Sequence, residues 1–195
     1  MSRIFSMCYE AGLAAVILIP IFLFLNKHFF HNTPKSIWYL LFSLYLCGIF
    51  AVVGLPSAYY VRFDPNHNLI PFAYMFSNYE NSLLNVLLFI PLGFFLPVFW
   101  KYYKRFPKAI VFGFCTSLLI EFLQIFTFRA TDVNDLITNT FGTFIGWILG
   151  RMVLHLFPSV NPSWKTKEVY LICSLSFLVM FFIQPLLVKI IMQMQ

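Results

Sequence analysis

The chain has 195 residues, of which 61% are apolar and only 10% are charged. Soluble domains carry about 25% charged residues, so this composition excludes a water-soluble protein and favours lipid as the solvent. The net charge of +6 comes without a basic arm or zinc-ligand spacing, so we expect no nucleic-acid partner.

Six stretches of the chain have the composition of membrane spans, which need about 20 mostly apolar residues each. The sequence therefore predicts an all-α, polytopic membrane helix bundle of about six transmembrane helices, forming a single domain over 1–195. In chain order the predicted spans are Ala11–Asn26, Ile37–Val61, Asn81–Trp100, Ala109–Phe128, Leu136–Gly150 continuing past Arg151, and Val169–Val188.

Basic residues are distributed unevenly between the connectors of these spans. Connectors on one side carry eight lysines and arginines, whereas the loops and tails on the other side carry four. Basic connectors face the cytoplasm in membrane proteins. We therefore expect both termini to lie outside the cytoplasm.

The predicted outer segment 56–82 is too apolar for a free loop. Its aromatic residues are typical of a belt at the headgroup level of a membrane. Alternatively the segment forms a lid or re-entrant piece over a cavity, because Pro71 punctuates the apolar stretch Asn68-Leu-Ile-Pro71-Phe72.

The third span opens with polar residues and contains a proline. Asn85 lies about one turn inside the predicted membrane boundary, and Pro91 interrupts the backbone hydrogen-bond pattern. Such an interruption is tolerated where neighbours or water satisfy the freed carbonyl. The pair is compatible with a polar cavity lined by spans three, four and five.

A carboxylate lies inside the fourth span. Placing Glu121 there costs roughly 2.5–3.5 kcal/mol on insertion scales, so its side chain is expected to face the protein interior. Gln124 follows on the same face. Gly113 and Ser117 precede Glu121 at spacings of four residues, which favours close contact with another helix.

A short turn of dense charge separates the fourth and fifth spans. It contains Arg129, Asp132 and Asp135, and Asn139 follows about 6 Å further along the helix. Both aspartates have a structural explanation, as an N-cap and as a first-turn carboxylate. Clustered at the outer face, the candidate ligand-binding residues are Asn85, Glu121, Gln124, Arg129, Asp132, Asp135 and Asn139.

Glycines and cysteines in the spans have simpler interpretations. Gly142, Gly146 and Gly150 form a stripe that permits close helix contact, either within the chain or between copies in an oligomer. The four cysteines lie alone in separate apolar stretches, so we expect no disulfide framework, metal site or cofactor.

Four segments occur in a fixed order along the chain. They are Asn68-Leu-Ile-Pro71-Phe72, Asn85-Val-Leu-Leu-Phe89-Ile-Pro91-Leu-Gly93, Glu121-Phe-Leu-Gln124, and the run from Arg129 through Asp132, Asp135 and Asn139 to Gly142 and Gly146. As an ordered set over 68–150, they resemble the VanZ-like membrane protein family.

This resemblance implies an integral protein of the bacterial cytoplasmic membrane. The namesake of the family is associated with low-level resistance to teicoplanin, a lipid-tailed glycopeptide that acts outside the cell. The leading hypothesis is therefore a protein that binds or handles an amphiphilic cell-envelope ligand, a lipid precursor or a lipoglycopeptide, at the extracytoplasmic face. Arg129 would meet a phosphate or carboxylate of that ligand.

Two other hypotheses remain open. The carboxylates would suit a membrane-embedded acid–base enzyme acting on a lipid-linked substrate, but the sequence lacks the common hydrolase motifs and no histidine lies near Glu121 in sequence. The charged cluster would also suit a structural partner in an envelope complex, where it only locks helices together.

Overall fold

The chain folds as two compact units. One consists of Met1–Arg62 with Val169–Gln195, and the other of Phe63–Glu168. The structure, a computed structural model, describes residues 3–54, 56, 58, 61, 63, 67–68, 70–73, 79–127, 131–160 and 162–193. Of the two units, the second contains the whole motif region 68–150.

Helices make up nearly all of the described chain. Two helices end or continue in π-helical turns, at Asn26–Phe30 and Val179–Ile183. The only strands among the described residues are two-residue pieces, β1 (His67–Asn68) and β2 (Thr131–Asp132). The helices are α1 (Arg3–Leu25), α2 (Thr33–Val53), α3 (Tyr79–Phe99), α4 (Phe106–Gln124), α5 (Val133–Leu156), α6 (Thr166–Leu178) and α7 (Gln184–Gln193).

The predicted all-α membrane fold is confirmed. Within the described residues, five segments are long and apolar enough to cross a membrane: Tyr9–Phe30, Thr33–Val53, Tyr79–Phe99, Phe106–Gln124 and Thr166–Ile190. Helix α5 is also long, but its first half is rich in asparagine and threonine. The chain is a multi-pass membrane protein.

Helix boundaries differ from the predicted spans where local backbone chemistry intervenes. Helix α2 begins after Asn32, whose side chain accepts a hydrogen bond from the Lys35 N–H at 3.0 Å. It ends at Val53, not at Val61, because Gly54 adopts a left-handed conformation with φ of 69°. Pro91 does not break α3, which continues through it to Phe99.

In the first unit, hydroxyl groups connect the helices. The Ser36 hydroxyl donates to the carbonyl of Phe22 in α1 at 3.2 Å. The Ser43 and Ser176 hydroxyls, both fully buried, lie 2.6 Å apart between α2 and α6. Such hydrogen bonds hold membrane helices together where apolar burial gives little driving force.

In the second unit, the glycine stripe of α5 packs against the backbone of α3. A Cβ atom added at Gly142 would meet the carbonyl oxygen of Val86, one at Gly146 that of Ile90, and one at Gly150 that of Phe94, each under 3.0 Å. The contacts advance together along both helices, so α3 and α5 run parallel. The stripe is thus occupied within the chain, and an oligomer, which stays a prediction, would need another surface.

Candidate functional site

The parallel packing of α3 and α5 brings both helix N-termini to one end of the second unit. Helix α4 runs the opposite way, because its Gly113 lies against Thr143 while its later Ser117 bonds the earlier Asn139. Its C-terminus therefore reaches the same end. We call this the polar end, and the opposite end, which holds the Lys101–Lys104 connector, the basic end.

At the polar end, a segment preceding α3 is joined to the turn between α4 and α5. Strand β1 pairs with β2 in parallel, with His67 opposite Thr131 and Asn68 opposite Asp132. We call residues 67, 68 and 70–73 the docked segment and residues 131–135 the polar turn. The pairing places an apolar stretch of the sequence directly beside its densest cluster of carboxylates.

Glu121, near the C-terminal end of α4, holds the polar turn by hydrogen bonds. Its side chain is only 4% exposed, and its Oε2 accepts a hydrogen bond from the Asp132 N–H at 3.0 Å. The Thr131 hydroxyl donates to the Glu121 carbonyl at 3.2 Å. As predicted, the carboxylate faces the protein interior, where a backbone N–H satisfies one of its oxygens.

Asp132 performs the structural role of an N-cap. Its Oδ1 accepts a hydrogen bond from the Asn134 N–H at 2.8 Å, at the start of α5. The same oxygen accepts from Nδ2 of Asn68 at 3.1 Å. One carboxylate oxygen thus caps the helix and attaches the docked segment, and the helix dipole favours its negative charge.

Asn134 is a site residue that the sequence reasoning missed. Its Oδ1 accepts from the Phe72 N–H at 2.7 Å, and its Nδ2 donates to the Ala73 carbonyl at 2.8 Å. The buried amide therefore holds the backbone of the docked segment by two hydrogen bonds. Its position in the polar turn was the only signal in the sequence, because its partners lie about 60 residues earlier.

The docked segment presents apolar side chains in a fixed, unusual backbone turn. Phe72 has φ of 63°, a left-handed conformation that costs a non-glycine residue roughly 1–2 kcal/mol. Its ring is 62% exposed, and Ile70 is 69% exposed. The hydrogen bonds from Asn134 offset the backbone cost, so that the turn holds an apolar surface beside the polar turn.

A polar seam continues from Glu121 into the interface between α4 and α5. The Nδ2 of Asn139 donates to the Ser117 hydroxyl at 2.9 Å, and both residues are buried. The other end of the amide, Oδ1 of Asn139, is buried and has no hydrogen-bond partner among the described residues. The antiparallel pairing of α4 and α5 that brings Ser117 to Asn139 continues one helical turn towards the polar end. There it brings Asp135 to the same height along the helices as Glu121.

Four predicted site residues remain to be located: Gln124, Asp135, Asn85 and Arg129. Gln124 is buried at the end of α4, and Asp135 is half-buried in the first turn of α5. Asn85 is half-buried in α3, next to the contact of Val86 with Gly142, and its side chain makes no hydrogen bond to a described residue. Arg129 lies outside the described residues.

The site offers carboxylate and amide groups. Across the described positions, no three histidine, cysteine, aspartate or glutamate side chains lie close enough to hold a metal ion. Chemically, the polar end can accept hydrogen bonds and attract cationic or hydroxyl-bearing groups. The neighbouring Ile70 and Phe72 side chains offer apolar contact.

Fold and site together define a multi-pass helical membrane protein in which a buried glutamate and a docked apolar segment meet at one end of a three-helix unit. The sequence model of the VanZ/LLP1 family matches residues 42–158, and the chain belongs to this family. The resemblance seen over 68–150 is thereby confirmed, and the match extends beyond it on both sides.

A relative supports this membership. The chain is 39% identical over 112 residues to the protein VanZ of Enterococcus faecium, an alignment that covers 54% of this chain and 68% of that protein. No solved structure matches the chain.

Proposed function

We propose that this protein binds an amphiphilic cell-envelope ligand, a lipid precursor or a lipoglycopeptide, at the polar end of the second unit. The observation that carries the proposal is the exposed ring of Phe72, held in a left-handed turn beside the carboxylates. An amphiphile needs apolar and polar surfaces at neighbouring positions. The polar end supplies both within a few residues of each other.

Preorganisation supports binding at this position. The two hydrogen bonds from Asn134 fix the backbone at Phe72 and Ala73 before a ligand arrives. A segment that is already ordered loses less conformational entropy on binding than a free loop. An acyl or prenyl chain would lie against Phe72 and Ile70 in this proposal.

The polar part of the ligand would meet the polar turn. Arg129 would pair with a phosphate or carboxylate of the ligand. Glu121 and Asp135 would orient the group or accept its donors. Deeper in the seam, Asn139 would offer its Oδ1, a buried acceptor that has no donor among the described residues.

In this proposal the polar end lies outside the cell, and the distribution of basic residues supports that orientation. Lys101, Lys104, Arg105 and Lys108 lie at the basic end, and such clusters favour the cytoplasmic side. The polar end would then face the extracytoplasmic side of the bacterial cytoplasmic membrane, with both termini also outside. Ligands that act outside the cell, such as teicoplanin, can reach it there.

The test is drug susceptibility of a sensitive Gram-positive host that expresses the full chain. We expect wild type to give low-level protection against teicoplanin and none against vancomycin, which lacks the lipid tail. Phe72→Asn keeps a residue that tolerates positive φ but removes the ring, so it should abolish protection. Arg129→Ala should do the same, with membrane levels of each variant quantified.

Phe122→Ala is the matched control, because it removes an aromatic ring that is 56% exposed on α4 and should keep protection. No protection by well-expressed wild type would refute a lipoglycopeptide ligand. Loss of the Phe72 and Arg129 variants from the membrane would instead indicate a structural role. If purified protein released product from lipid phosphates, and Glu121→Gln did not, an enzyme would be favoured.

A further inference from the structure

Cations are concentrated around the connector of α3 and α4 at the basic end. Lys101 and Lys104 bound a 3₁₀ turn, Arg105 follows it, and Lys108 lies in the first turn of α4. Arg151 lies near the end of α5, with its guanidinium carbon 6.0 Å from the centre of the Trp147 ring. We call these five residues the basic collar.

The collar has no anionic partner in the described part of the chain. The side chains of Lys101, Lys104, Arg105 and Arg151 form no hydrogen bond or ion pair with a described residue. Lys108 lies instead over the ring of Tyr102, with Nζ 3.5 Å from its centre. The positive charge of the collar is therefore available to an anion from outside the protein.

The backbone that carries these cations is fixed. The Tyr103 carbonyl accepts a hydrogen bond from Nε1 of Trp147 at 3.1 Å, which attaches the connector to α5. The Phe99 carbonyl accepts from the Trp164 N–H at 3.3 Å, and the two rings stack with centres 4.2 Å apart. Cations on a fixed backbone lose less entropy when they bind an anion together.

The connector lies at a membrane surface, because it joins two antiparallel spans by only a few residues. Three of the four tryptophans of the chain, Trp100, Trp147 and Trp164, surround it. Tryptophan and tyrosine are enriched at the headgroup level of membranes. The anions available at this level are the phosphates of lipid headgroups, which attract basic clusters.

We propose that the basic collar binds the phosphate headgroup of an anionic phospholipid. The site is at the opposite end from the polar turn and does not depend on the function proposed above. Lys101 and Arg105, both exposed, contact the phosphate directly in this proposal. Lys104 and Lys108 supply the surrounding positive field.

Tryptophan quenching by brominated lipid tests the proposal on the full chain. Trp38→Phe removes the one tryptophan of the first unit, and the protein is reconstituted in phosphatidylcholine vesicles that contain brominated phosphatidylglycerol. We expect stronger relative binding of phosphatidylglycerol than of brominated phosphatidylcholine. Lys101→Gln with Arg105→Gln should reduce this preference by about tenfold or more, since each surface cation contributes roughly a fivefold factor.

Lys165→Gln with Lys167→Gln is the matched control, because it removes the same charge from exposed positions near the basic end. Lys165 and Lys167 do not contact the phosphate in this proposal, so this control should reduce the preference clearly less than the collar variant does. Equal loss in both double variants would overturn the proposal in favour of diffuse surface charge. Equal binding of both lipids by wild type, or complete displacement by soluble glycerol phosphate, would also overturn it.

A measurement on the wild-type sequence covers the case in which the collar variant does not fold. Raising the salt concentration several-fold screens exposed charge and should weaken the preference for phosphatidylglycerol. A preference that salt leaves unchanged would exclude the collar as its source.

Discussion

The Glu121 carboxylate and the Asp132 N–H lie 3.0 Å apart, so the end of α4 holds the start of α5 in place. Glu121→Ala removes the acceptor and should lower the free energy of unfolding by about 1–3 kcal/mol. Glu121→Gln keeps an acceptor oxygen and should cost less, about 1 kcal/mol. Reversible unfolding in mixed detergent micelles measures both, and equal losses would show that the charge matters more than the acceptor.

Asn134 controls the order of the docked segment. Asn134→Ala removes both hydrogen bonds to the Phe72 and Ala73 backbone, so amide hydrogen exchange at Phe72 and Ala73 should become at least about tenfold faster. Asn134→Asp keeps the acceptor and loses the donor, and should fall between. Asn81→Ala, at an exposed position whose side chain makes no hydrogen bond to a described residue, should leave exchange unchanged. Unchanged exchange in Asn134→Ala would contradict the role of Asn134 in ordering the docked segment.

Gly146 is where α3 and α5 tolerate no added atom. A Cβ there would lie under 3.0 Å from the Ile90 carbonyl, and backbone moves less easily than a side chain. Gly146→Ala should therefore destabilise the protein by about 1–3 kcal/mol. Gly48→Ala is the matched control, because nothing lies within 4 Å of its Cβ position, and it should stabilise α2 by up to about 1 kcal/mol. The unfolding midpoint measures both effects: it should fall for Gly146→Ala and rise for Gly48→Ala.

The hydrogen bond between Ser43 and Ser176 couples α2 and α6 in the first unit. A double-mutant cycle with Ser43→Ala and Ser176→Ala should give a coupling energy of about 0.6 kcal/mol and no more than about 1.7 kcal/mol. Ser174, exposed on α6, supplies the control, and Ser174→Ala should show no coupling to Ser43. A coupling near zero for the buried pair would mean that both hydroxyls find other partners when separated.

The sequence by itself determined the solvent and the class of fold. An apolar content of 61% with 10% charge leaves too little polar surface for water, and the apolar runs indicate which stretches form helices. Burial of Glu121 also followed from sequence, because a carboxylate inside a span must face the protein. The glycine stripe predicted close helix contact for the same local reason.

Only the tertiary structure decided which groups meet. Spacing along α5 could not choose between α3 and another subunit as the partner of Gly146, since both present the same backbone. Nor could it show that Asn134 bonds Phe72, because hydrogen bonds between segments about 60 residues apart depend on how the helices between them pack. Local roles, such as the burial of Glu121, can be predicted residue by residue. The site depends instead on the register between α3, α4 and α5, and side-chain and backbone contacts between these helices determine that register together.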